Sequence, residues 1–307
     1  MHKKLDIQIA DPSGNITIFV CTPVERRFYQ QVAGQLLADE DYGVEQVAFI
    51  LSDSFSSQNP SAGESCCTPG GAMNPGVGVD GSMDSGVDGS MEMCGLEFCG
   101  NASRAFGLML ARDAGETGQV TKRIRVSGCE EPLTVELDME TSRAKIRMPD
   151  PVSCEVQGER TVVDLGGILH IIVEAPRAEG GSTEKQQTEM EQIFGKIRSE
   201  VYRTMDPPAL GVMFWDSAEK KLTPVVYVKE VETVYFEGSC GSGTTACAAA
   251  FSMGKPDGTY SWSIPQPAGI IDVTAEVKDG RAQAIYIDSQ VKLGEIMTTE
   301  VEIEDEE

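Results

Sequence analysis

Leu5, Ile7 and Ile9 alternate with polar residues, Pro12-Ser13-Gly14-Asn15 interrupts them, and Ile16, Ile18 and Val20 resume the alternation. A period of two marks a strand with one buried face, and the interruption is made of turn residues, so the chain is expected to open on a β-hairpin. Val24, Phe28, Val32 and Leu36 then fall four apart, as on one face of an amphipathic helix. Residues 47–51 read as a short buried strand. Over residues 53–91 the pattern disappears. Gly, Ser, Asn, Asp and Pro dominate there, and Val79-Asp80-Gly81-Ser82-Met83 recurs eight residues on as Val87-Asp88-Gly89-Ser90-Met91. Such a composition buries little apolar surface, so a mobile loop or lid is expected.

Patterned sequence returns at Phe98. A helix is expected over about 100–111, then strands around 124–126, 133–137 and 144–148. Residues 161–175, which include His170, are rich in strand formers. Met190, Ile193, Phe194, Ile197 and Val201 define a second amphipathic helix. Strands near 210–215 and 225–231 lead to a glycine-rich helix start at Cys240. A hairpin over 270–277 and 282–288, turning at Lys278-Asp279-Gly280, precedes an acidic stretch at 300–307 that reads as a solvated terminus.

Charge narrows the partners. Lys and Arg number 25 against 49 Asp and Glu, a net charge of −24. That surface is the opposite of what nucleic acid or an anionic membrane attracts. No apolar run approaches the roughly 20 residues of a membrane helix, and the start, Met1-His2-Lys3-Lys4-Leu5-Asp6, lacks a signal-peptide core. A soluble cytoplasmic protein is the expectation. With nine cysteines, an odd number, and no export signal, a disulfide framework is not expected. Cys66 and Cys67 are adjacent, Cys94 and Cys99 are five apart, and there are two histidines, a poor pattern for zinc. No bound metal is expected, and most of the thiols read as small buried hydrophobes.

Two segments look like copies of one device. Glu97-Phe98-Cys99-Gly100-Asn101-Ala102-Ser103-Arg104 and Glu237-Gly238-Ser239-Cys240-Gly241-Ser242-Gly243-Thr244 each place Cys-Gly and small polar residues at the start of an Ala-rich helix. Small residues there leave the first amide N–H groups open to an anion, and the helix dipole is expected to lower the cysteine pKa. Two such elbows meeting at one site suit the inversion of a carbon next to a carboxylate. One group removes a proton from one face while another returns a proton to the opposite face, and the helix starts hold the carboxylate and its growing charge. No phosphate loop, dinucleotide fingerprint or lysine-centred cofactor signature competes.

At these residues the chain resembles diaminopimelate epimerase and its relatives, the cofactor-independent amino-acid racemases. Cys99-Gly100-Asn101-Ala102-Ser103-Arg104 matches the family's Cys-Gly-Asn-x-x-Arg, and Cys240-Gly241-Ser242-Gly243 its Cys-Gly-(Ser/Thr)-Gly. Asn15 falls at the family's substrate-contacting Gly-Asn turn, and His170 at the histidine of its Gly-Asn-Pro-His, beside the first cysteine. The resemblance implies an α/β fold of two pseudo-symmetric halves, each a curved, mainly antiparallel sheet around a central helix. The halves would be 1–148 with Cys99 and 149–285 with Cys240, the last strand, about 286–307, returning to the first. It implies a racemase or epimerase of a free amino acid that uses no pyridoxal phosphate or other cofactor, with a homodimer admissible. Cys99 and Cys240 would be the acid/base pair, His170 and Glu237 supporting groups, and Asn15, Gly100, Asn101, Gly241 and Ser242 substrate contacts.

The departures bear on the substrate. The epimerase's Glu-Arg-Gly has no arginine counterpart over residues 229–237, and Ile168 replaces its asparagine. A substrate with a shorter, neutral or basic side chain is therefore expected, and histidine racemases within the group direct attention to histidine. Met93-Cys94-Gly95 makes Cys94 a rival first base, but Glu97 would crowd a carboxylate there, so Cys99 is preferred. Cys247, on the helix body, reads as core. Two other classes stay open, a proline racemase-like or other related isomerase and a non-catalytic amino-acid-binding protein of the same fold.

Overall fold

In the computed structural model, which describes residues 2–51, 86–177, 183–229 and 232–304, the alternating start of the chain becomes β1 (His2–Asp11) and β2 (Thr17–Val20), paired antiparallel. A 3-10 turn (Arg26–Phe28) leads into α1 (Tyr29–Ala38), which buries Val32 and Leu36, and then β3 (Gln46–Ile50). Next come β4 (Gly89–Met93), α2 (Gly100–Asp113), β5 (Gln119–Val126), β6 (Leu133–Asp138) and β7 (Arg143–Arg147). They are followed by β8 (Ser153–Gln157), β9 (Arg160–Asp164), β10 (Leu169–Glu174), α3 (Thr183–Val201), β11 (Ala209–Asp216), β12 (Lys221–Val228) and β13 (Thr233–Phe236). The chain closes with α4 (Gly241–Ser252), β14 (Gly258–Pro265), β15 (Ile270–Lys278), β16 (Arg281–Gln290) and β17 (Lys292–Glu302). The class is mixed α/β and mostly sheet, as expected.

Eleven strands form one sheet in the order β14-β15-β16-β7-β6-β5-β4-β3-β2-β1-β17, and six form a second, β13-β12-β11-β10-β9-β8. Pairing is antiparallel except for β2–β3, β4–β5 and β10–β11. The β7–β16 and β1–β17 pairings tie late strands to early ones.

Three apolar clusters follow from the side-chain alternation. Along β2, Ile18 and Val20 face α1, whereas Phe19 joins α2 on the other side. A strand buried on both faces is apolar at every position, as Thr17–Val20 nearly is. α3 covers Leu169 and Ile171 of β10, while Ile172 faces α4. His170 shares the Ile172 face, because residues two apart lie on one side of a strand. α2 and α4 share the central core, to which Ala105, Phe106, Ala246, Cys247 and Ala248 contribute. Alanines in α4 let that helix be enclosed nearly all round without overpacking. Cys247 is core, as expected.

Three expectations need correction. Residues 52–85, with Cys66, Cys67 and the first copy of the repeat, lie outside the described residues, but the end of the expected loop does not behave as loop. Its Gly89–Met91 belong to β4, every residue of which is buried. Alternation misses β4 because Gly89, Ser90 and Glu92 are buried beside its two apolar residues, Met91 and Met93, so the strand has no polar, exposed face. A side chain at Gly89 would strike Leu110 and Phe106, and Glu92 is held by Arg26 and by the Tyr29 hydroxyl at 3.1 Å. The acidic stretch from Glu300 is strand as far as Glu302, with Val301 and Ile303 buried. Three further strands, β8, β13 and β14, have no counterpart among the expected elements, and β17 has one only in the last strand that the resemblance implies.

Candidate active site

Cys99 is the N-cap of α2 and Cys240 the N-cap of α4, with backbone angles that agree within a few degrees (φ −127°, ψ 109° and φ −126°, ψ 112°). In each case the sulfur accepts the N–H three residues on, from Ala102 at 3.4 Å and from Gly243 at 3.2 Å. A hydroxyl four residues on donates to the cysteine carbonyl, Ser103 at 2.7 Å and Thr244 at 2.7 Å. The copied sequence therefore folds into a copied geometry, with sulfur in the place of the usual capping oxygen.

The two helix starts meet. A Cβ on Gly241 would lie 3.2 Å from Asn101 Oδ1 and 3.0 Å from Ile287 Cδ1, and one on Gly100 would lie 3.1 Å from that same Ile287 atom. Around them gather the β1–β2 turn, the segment entering β3, and the loop between β14 and β15. Gly14 has φ +93°, which an L side chain rarely adopts, and any side chain there would meet Ala268. Gly238 lies so close to the Gly14 carbonyl that it has no room for a Cβ.

Polar side chains join the pieces. The Cys99 thiol donates to Gln46 Oε1 at 3.0 Å. Cys240 Sγ lies 3.4 Å from Ser242 Oγ, and the Cys240 N–H donates to Gln266 Oε1 at 2.8 Å. Asn101 Nδ2 donates to Asn15 Oδ1 at 3.2 Å, and Asn15 Nδ2 to Glu45 Oε2 at 2.8 Å. Gln46, Gln266, Ile287 and Glu45 escape sequence reasoning. Each of the three polar ones borders a strand or turn and belongs to no motif. The only cue is their position, Glu45-Gln46 just ahead of the apolar run at 47–50 and Gln266 between two prolines.

The electrostatics differ from the expectation. Both thiols are held above the ordinary cysteine range. Burial pushes Cys99 up to about 12, the Glu97 and Glu237 charges add to it, and the Ala102 N–H opposes it. Cys240 is raised well above its usual value by burial, then by the charge and hydrogen bond of Glu237, against Ser242 and the Gly243 N–H. The amides and the hydroxyl that reach the sulfurs do not offset desolvation and the neighbouring carboxylates. Glu237 is itself pushed up to about 7 by burial and by Glu45, while its bond to Cys240 opposes the rise. With no substrate bound, both shifts favour thiol over thiolate.

His170 is fully buried, burial alone pushes it down to about 3, and neither ring nitrogen has a partner among the described residues. It lies opposite Gly211 of β11, where a Cβ would run into the ring and sit 2.9 Å from Met213 Cε. A Cβ on Gly243 would in turn strike Met213, so the recorded neighbours of His170 lead to the second elbow. Cys94 follows β4 and packs on the α1 side, where Gln30 Nε2 donates to its carbonyl at 3.1 Å, and it caps neither α2 nor α4; burial pushes its thiol up to about 11. Among the described residues no three His, Cys, Asp or Glu side chains are grouped to hold a metal ion, and no helix is long and apolar enough to cross a membrane.

Residues 77–296 match the family described as the histidine racemase CntK N-terminal domain. The chain is 33% identical over 215 residues, 67% of its length and 76% of the relative's, to a histidine racemase of Fusobacterium nucleatum. It is 26% identical over 273 residues, 87% and 86% of the two lengths, to the histidine racemase of Staphylococcus aureus. A hydroxyproline epimerase from Agrobacterium vitis, solved with trans-4-OH-L-proline, superposes with a TM-score of 0.56 at 9% identity over 97% of this chain and 92% of that one, a likeness of fold. With a family match across most of its length, the chain belongs to the histidine racemase family and is an isomerase of the racemase and epimerase class.

Proposed function

We propose that this protein racemises a free amino acid, histidine first among the candidates, by passing protons between Cys99, Cys240 and the two faces of the α-carbon. The observation that carries this reading is the pair of superposable cysteine N-caps on helices whose first turns touch. One sulfur, as thiolate, takes the α-proton as the C–H bond breaks. The other, as thiol, gives its proton to the opposite face, and the reverse reaction exchanges the roles. The open amides of residues 100–101 and 241–242, with Asn15, Asn101 and Ser242, hold the α-carboxylate and the charge that spreads onto it.

Glu237 supports the step from two sides. Near neutrality it takes up or releases a proton beside Cys240, and as carboxylate it attracts the substrate ammonium group. His170, whose ring nitrogens have no partner among the described residues, is the second supporting group. Because the thiols supply both the acid and the base, the mechanism calls on neither pyridoxal phosphate nor metal. Histidine enters through the relatives' names, and the Glu237 carboxylate is a fitting partner for a substrate with a cationic group. We place the boundary between the halves near Pro149-Asp150-Pro151.

The test is to incubate reduced protein with single L-amino acids in deuterium oxide and follow the α-proton by NMR. Exchange with histidine accompanied by D-histidine confirms the reading. Exchange with proline or another acid instead moves the substrate, and no exchange with any amino acid sinks the proposal.

A further inference from the structure

Four side chains make one continuous line from the interior of α2 to the loop before α4. Arg104 Nη2 donates to Asn101 Oδ1 at 2.7 Å, Asn101 Nδ2 to Asn15 Oδ1 at 3.2 Å, and Asn15 Nδ2 to Glu45 Oε2 at 2.8 Å. The other Glu45 oxygen accepts the Gly238 N–H at 3.0 Å. Arg104, Asn101 and Asn15 are almost wholly buried, and Arg104 is further fixed by Ser289. We propose that Glu45 is a positioning residue for the reaction proposed above, anchoring a one-way hydrogen-bond line that fixes the two elbows relative to each other.

The direction is enforced at both ends. A guanidinium has five donors and no acceptor, and a carboxylate has acceptors only. Asn101 must therefore turn its oxygen to Arg104 and its NH2 to Asn15, and Asn15 must repeat the choice toward Glu45. Flipping either amide sets donor against donor or acceptor against acceptor, and Arg104 cannot adapt. Glu45 also spans the gap between halves of the sequence, since one oxygen holds the turn at Asn15 and the other the backbone two residues before Cys240. Burial raises Glu45, the Asn15 and Gly238 donors oppose the rise, and Asp11 stands beyond it.

This logic makes an unusual double substitution informative. Glu45→Gln keeps the shape but offers one acceptor to two donors, and the mismatch travels along the line. Asn15→Asp alone sets a carboxylate against Glu45. Together, Glu45→Gln and Asn15→Asp restore every bond. The introduced amide gives its NH2 to position 15 and its oxygen to Gly238, the introduced carboxylate accepts from Asn101, and the total charge is unchanged.

The experiment is a thermal double-mutant cycle on the reduced protein. Each single variant is expected to lose about 2–6 °C in Tm, the cost of stranded buried donors or facing carboxylates in a chain of this size. The double variant is expected to recover at least half of the summed loss. Additive losses, or a neutral Glu45→Gln, overturn the proposal. In the exchange assay Glu45→Gln is expected to lower kcat per folded molecule about tenfold to a hundredfold with KM within about threefold, as misplacement of reacting groups does. Unchanged kcat per folded molecule would make Glu45 a structural residue only. If the wild-type protein exchanges no amino acid, the function proposed above fails, and the thermal cycle still decides the line.

Discussion

Gly241, the first residue of α4, lies against Asn101, the second residue of α2, so closely that a Cβ at 241 would stand 3.2 Å from the amide oxygen. That oxygen is the one Arg104 holds. Gly241→Ala therefore pushes on the line between the elbows and on Ile287 at once. We expect a folded protein about 1–3 kcal/mol less stable, the usual cost of overpacking, with exchange reduced at least about tenfold. Calorimetry and the deuterium assay measure the two effects separately.

Substituting either elbow thiol is expected to be severe and unequal to any other cysteine change. Cys99→Ala and Cys240→Ala remove an acid/base group outright, and racemisation is expected to fall by about 10²–10⁴ or more. Serine in either place leaves little activity, because a hydroxyl is a far weaker acid than a thiol. Cys94→Ser stays active. If Cys94→Ser were dead and Cys99→Ser fully active, the first base would have to be reassigned.

Oxidation offers a test without mutagenesis. Both sulfurs must reach one α-carbon, so a mild disulfide-forming oxidant is expected to join Cys99 to Cys240, abolish activity and be reversed by dithiothreitol. Peptide mass spectrometry identifies the pair. A linkage that excludes both residues, with activity lost, would point to another thiol.

Stability is expected to respond to pH through two buried groups, in opposite senses. Glu237 has a folded pKa of about 7, above its ordinary 4.5, so the unfolded chain holds fewer protons and stability falls as pH rises from about 4.5 to 7. Glu237→Gln removes that fall, and its Tm relative to wild type is expected to climb between pH 5 and pH 8. His170 has a folded pKa of about 3, below its ordinary 6.5, so its contribution is present above 6.5 and is lost as pH drops toward 3. His170→Asn is expected to flatten that acid limb in a thermal melt. Equal pH dependence of wild type and variant would refute either assignment.

Much of the architecture is readable because its strands bury one face. Leu5, Ile7, Ile18 and Val20 announce the first hairpin, and spacing by four announces α1 and α3. β4 is hidden because Leu110 and Phe106 of α2 demand glycine at 89 and because a buried Glu92 is paired from α1 and the turn before it, a compensation that only tertiary structure supplies. The two elbows are readable as repeated motifs. What surrounds them is not, since Gln46, Glu45 and Gln266 act singly across long sequence separations. The sign of the thiol shifts is lost for a related reason. The helix dipole can be read from the local chain, whereas desolvation and the Glu237 charge depend on what folds over the site.

The pairing of β1 with β17 has a consequence for how the protein is made. His2 sits opposite Glu302 and Asp11 opposite Lys292, so the strand that leads into the Gly14–Asn15 turn waits for residues 292–302 to be translated. A nascent chain on the ribosome can assemble α2 and its meander early, but one flank of β1 stays unpaired until β17 emerges. Contacts so distant in sequence form slowly, and an unpaired edge is exposed to association with other chains meanwhile. The β1 flank of the site is therefore expected to be completed only once β17 has left the ribosome.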